Sequence, residues 1–81
     1  MEKIKKVVVA LEAIEYDLNR NSSLSNKTGL NGLHTAKICL NAKSPNIPTA
    51  IAQLRLRFSQ SNRPIEQEAL KEAIALVQSL L

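Results

Sequence analysis

Four stretches of the chain carry apolar residues at the spacing of one helix face. In the first, Ile4, Val7, Val8, Leu11, Ile14 and Leu18 make an unbroken stripe, which predicts a helix from about Glu2 to Asn19. Val7-Val8-Val9 alone has the composition of a strand, but alternation fails on both sides of it, so the longer period decides for helix. Leu30, Leu33, Ala36 and Leu40 give a shorter second face, on a helix that starts at Thr28 or Asn31, either able to cap it, and ends near Ala42, ahead of Ser44-Pro45. Gly29 and Gly32 loosen its start, each by about 1 kcal/mol if helical. Lys37 falls inside the apolar arc, where its stem can run out to water.

The third and fourth stretches form a pair. Ile47, Ala50, Ile51, Leu54 and Phe58 follow Asn46-Ile47-Pro48-Thr49, with Asn46 placed to cap and Pro48 suited to the first turn of a helix reaching about Ser59. Leu70, Ala73, Ile74, Val77, Leu80 and Leu81 follow Ser61-Asn62-Arg63-Pro64, where Pro64 sits in the first turn and Glu66 and Glu68 suit the positive pole of a helix. Two stripes joined by so short a connection bury each other only by folding back antiparallel, so Ile47 to Leu81 reads as a helical hairpin. Asn19 to Asn26 is a loop by composition. The whole, residues 1–81, is expected to be one all-α domain, an antiparallel up-down four-helix bundle.

Composition and charge sharpen this picture. Aromatics are only 2% of the 81 residues, so the core must be aliphatic. Cys39 is the single cysteine, so no internal disulfide staples the small core, and a reducing, intracellular setting is the simpler expectation. No apolar run approaches the roughly 20 residues needed to span a bilayer. Lys3, Lys5 and Lys6 precede an apolar stretch, but Glu12, Glu15 and Asp17 follow too soon for a secretory signal, so the chain is expected to be unprocessed and cytoplasmic. The same lysines sit at the unfavourable pole of the first helix. Net charge is +4, an ordinary solubilising balance that also suits anionic partners.

Candidate chemistry is sparse. On a helix, His34 and Cys39 would point about 140° apart, and two ligands fall short of a usual metal site. Glu12 with Glu15, and Glu68 with Glu72, read as solvated faces. Thr28-Gly29-Leu30-Asn31-Gly32 lacks the lysine and preceding strand of a phosphate loop. No enzyme activity, metal or cofactor is expected, and function is sought in binding. For nucleic acid, Arg55 and Arg57 splay to either side of Leu56, Glu66, Glu68 and Glu72 repel phosphate, and no aromatic platform exists. Leu56 lies opposite the Ile47–Phe58 stripe, so it either packs on another helix or stands exposed between two guanidinium groups.

The stretch Asn46-Ile47-Pro48-Thr49-Ala50-Ile51-Ala52-Gln53-Leu54-Arg55-Leu56-Arg57-Phe58, then a polar turn and Glu66-Gln67-Glu68-Ala69-Leu70-Lys71-Glu72-Ala73-Ile74, resembles the last two helices of class IIa (pediocin-like) bacteriocin immunity proteins, the enterocin A immunity family. The likeness covers the last 36 residues in detail and the first half in outline. It implies a cytoplasmic four-helix bundle that protects its producer from a pore-forming peptide. The family is thought to recognise the bacteriocin-occupied mannose phosphotransferase permease from the inner face of the membrane, not the free peptide. That mechanism needs an exposed apolar and basic patch, for which Arg55, Leu56, Arg57 and Arg63 are the candidates here. The competing expectation is a helical adaptor or small dimeric regulator, favoured by an unpaired apolar side on Leu56, Ile38 or Tyr16.

Overall fold

The computed structural model describes residues 2–20 and 28–81, which form four helices: α1 Glu2–Arg20, α2 Thr28–Asn41, α3 Ile47–Gln60 and α4 Pro64–Gln78. Asn19 and Arg20, expected in the loop, complete α1; the rest of that loop lies outside the described residues. Asn31, a candidate cap, is interior to α2. At the next junction the expected cap is present. The Asn46 side-chain oxygen accepts from the Thr49 amide at 3.1 Å, and the Asn46 amide donates to the Cys39 carbonyl at 3.0 Å, turning the chain from α2 into α3.

The stripes close on one another. Val7, Val8, Leu11, Ile14 and Leu18 of α1 meet Leu33, Ala36 and Leu40 of α2, Ala50, Ile51 and Leu54 of α3, and Leu70, Ala73 and Val77 of α4 in one aliphatic core. Phe58 and Leu81, counted among the stripes by spacing, stay exposed at their edges. The Cα radius of gyration, 11.6 Å, matches the value near 12 Å expected of a close-packed chain this long.

Directions follow from the contacts. Lys37 meets Glu15, α2 meets α3 at Gly32 and Arg57, and both pairs run antiparallel. Gly29 faces Glu66 and Gly32 faces Leu70, so α2 and α4 run parallel across the diagonal. Among the described residues α1 and α3 do not meet, whereas α2 and α4 do. The section is therefore a rhombus, squeezed along the α2–α4 diagonal. The two glycines make this possible. A Cβ at Gly29 would stand 2.9 Å from Leu18 Cδ2, and one at Gly32 would stand 2.7 Å from Arg57 Cγ. Their cost in helix propensity is set against close helix packing.

Lys37 does not run to open water. Its Nζ donates to Glu15 Oε1 at 2.6 Å, with both side chains mostly covered, locking α1 to α2. A double-mutant cycle of Lys37→Ala and Glu15→Ala is expected to give a coupling of about 1 kcal/mol that shrinks in high salt. Additive losses would show that the pair contributes nothing as a pair.

Candidate functional site

The geometry of α3 follows from its two faces. Ala50, Ile51 and Leu54 are drawn inward, which turns Ala52, Arg55, Leu56 and Ser59 outward along one strip at i, i+3, i+4 and i+7. Leu56 is 45% exposed, so of its two possible placements the structure takes the outer one. Arg55 beside it is exposed. Ser59 turns its hydroxyl back onto the Leu56 carbonyl at 2.7 Å, leaving the leucine as the apolar feature of the strip.

Arg57 departs from the expected patch. It is half-buried, its stem lies over Gly32, and its Nε is covered without a hydrogen-bond partner among the described residues. Its Nη1 donates to Gln60 Oε1 at 3.3 Å. Arg57 thus serves first as the cover of the α2–α3 contact. Arg63 is exposed at the start of α4. The structure accordingly places Arg55, Leu56 and Arg63 on the outside of the hairpin and draws Arg57 partly inward.

What holds the hairpin is a polar knot that the stripes did not predict. Glu66, expected as a dipole-facing residue, is fully buried. Ser61 Oγ donates to its Oε1 at 3.0 Å, and the Gly29 amide donates to its Oε2 at 3.3 Å. Ser61 also accepts from the Arg63 amide on its hydroxyl and from Gln67 Nε2 on its carbonyl, while its own amide donates to the Arg57 carbonyl. One serine therefore closes α3 and opens α4, and one carboxyl group satisfies an otherwise orphaned amide in the first turn of α2. The signal was present in the spacing: Glu66, Leu70, Ala73 and Val77 lie at i, i+4, i+7 and i+11, so the glutamate sits on the buried stripe.

Elsewhere His34 is exposed and Cys39 half-buried, and no group of three or more metal-ligating side chains occurs among the described residues. Tyr16 and Ile38 are exposed apolar surface, with the Arg20 guanidinium 5.9 Å from the Tyr16 ring centroid. No described helix is long and apolar enough to cross a membrane.

What these features define is a class: a small antiparallel four-helix bundle whose third helix turns a mixed apolar and basic strip outward. No protein-family model, curated protein or solved structure matches the chain.

Proposed function

We propose that the chain is an immunity protein of the class IIa bacteriocin kind, which protects its cell by binding and without covalent chemistry. It recognises the peptide-occupied mannose phosphotransferase permease at the inner face of the membrane through Arg55, Leu56 and Arg63, with Arg57 contributing its outer guanidinium edge. The observation that carries this reading is Leu56, half-exposed beside Arg55 on a hairpin fixed by the Ser61–Glu66 knot. Arginine is among the residues on which interface energy concentrates, and Leu56 adds apolar area beside Arg55 on the same strip. The bundle architecture and the resemblance of residues 46–74 point the same way.

The test is expression in a cell sensitive to pediocin-like peptides. The parent chain is expected to raise resistance to at least one of them. Leu56→Asp combined with Arg55→Glu is expected to abolish that protection while shifting stability by no more than about 0.5 kcal/mol, since both sites are on the surface. No gain in resistance to any such peptide, or full protection by the double variant, would remove the reading.

A second reading, a helical adaptor for another protein, is favoured by the exposure of Tyr16 and Ile38 on α1 and α2, away from the α3 strip. No protection in any sensitive cell, together with binding to a defined cellular protein that is lost on substituting Tyr16 and Ile38, would select it.

A further inference from the structure

Between α1 and α4 runs an open groove of about 800 Å³, floored by Ala10, Ala13, Ala69 and Ala75, with Ile65 toward one end. Like α2 and α4, these two helices meet without being consecutive in the chain. The lining runs over residues 10–18 of α1 and 65–75 of α4. At 1.5 Å per residue that is a channel about 12–15 Å long, the length of a helix of two to three turns. Alanines along the floor let a third backbone approach as closely as small-residue helix contacts allow.

The charge of the rim is opposite to that of the protein. Asp17, Glu68 and Glu72 line the groove against one base, Lys71. The chain as a whole has 11 Lys and Arg to 7 Asp and Glu. Glu68 and Glu72 stand one turn apart on the same helix, a like-charge spacing that is unfavourable unless a cation lies between. Neither is held by an ion pair or hydrogen bond within the described structure.

We propose that this groove docks a short cationic amphipathic helix of a partner protein, presenting small or aliphatic residues to the alanine floor and Lys or Arg to the α4 rim. A second copy of this chain is a poor occupant. Symmetric pairing through the groove would set one net-acidic lining against another. The groove shares no residue with the α3 strip, so docking there is independent of the proposed immunity function.

The experiment titrates the isotopically labelled full chain with a blocked helical peptide of about 14 residues, with Leu and Ala on one face and Lys on the other, and with the same peptide carrying Glu for Lys. Saturable amide shifts confined to residues 10–18 and 65–75 are expected with the Lys peptide and none with the Glu peptide. Two variants divide the contributions. Glu68→Lys with Glu72→Lys reverses the rim, and Ala13→Gln, at an exposed position, blocks the floor without changing charge. Each is expected to weaken the Lys peptide at least tenfold with the helical circular dichroism intact. Equal binding of both peptides, shifts elsewhere or absent, undiminished binding by Ala13→Gln, or a dimer in sedimentation with the groove as its interface would overturn the proposal.

Discussion

Glu66→Ala is expected to lower stability by about 3 kcal/mol, a loss of roughly 12–24 °C in Tm for a domain of this size. Three costs combine in one substitution. A fully buried side chain disappears and leaves a void, the Ser61 hydroxyl loses its acceptor, and the Gly29 amide is left without one inside the protein. Glu66→Gln should lose much less, because its amide oxygen can still accept one of the two bonds and the Ser61 hydroxyl can turn to accept from the new NH2. The ordering is read from urea or thermal unfolding followed by far-ultraviolet circular dichroism. If Ala and Gln at this position prove equally harmless, the knot does not hold the hairpin, and the rigid presentation of Leu56 goes with it. The margin is thin: a chain of this length has a total stability of about 4–12 kcal/mol, so the alanine variant approaches unfolding at moderate temperature.

The second large effect is expected at Gly32, through crowding. A Cβ there would lie 2.7 Å from Arg57 Cγ, 3.0 Å from Arg57 Cβ and 3.4 Å from Leu70 Cδ2. Arg57 Cγ can swing aside, but its Cβ is fixed to the α3 backbone. Gly32→Leu must therefore push α2 from α3 and α4, for a loss of about 3 kcal/mol. Gly32→Ala sets a helix-propensity gain of about 1 kcal/mol against an overpacking cost of about 1–3 kcal/mol, so a net loss of up to about 2 kcal/mol is expected. Equilibrium denaturation of both variants measures this. A leucine variant as stable as the parent would mean that the helices do not approach at this point.

These two positions also show where the sequence was readable and where it was not. Spacing alone located four helices, the hairpin and every buried aliphatic residue among those described, because a stripe at i, i+3, i+4 and i+7 has only one way to leave water. It failed where a residue's usual role differs from its local one. Glu66 was assigned by charge to the helix dipole, although its place on the Leu70–Val77 stripe already put it inside. Gly29 and Gly32 were counted as weak helix formers, although they lie on the same face as Leu33, Ala36 and Leu40, where a missing side chain lets a neighbour in. Arg57 was placed with Arg55 in one exposed patch although the two splay about 200° apart around Leu56, and only Arg55 shares the outer strip. Leu56 was left undecided because period identifies the side of a helix but not whether another element covers it. The α1–α4 groove was illegible for a similar reason: it depends on two helices far apart in the chain becoming neighbours.

The bond from Gly29 to Glu66 spans 37 positions. It anchors the first turn of α2 from α4, so an opening of α4 at Glu66 releases the start of α2 with it. The amides of these two turns are therefore expected to exchange with solvent as one cooperative unit.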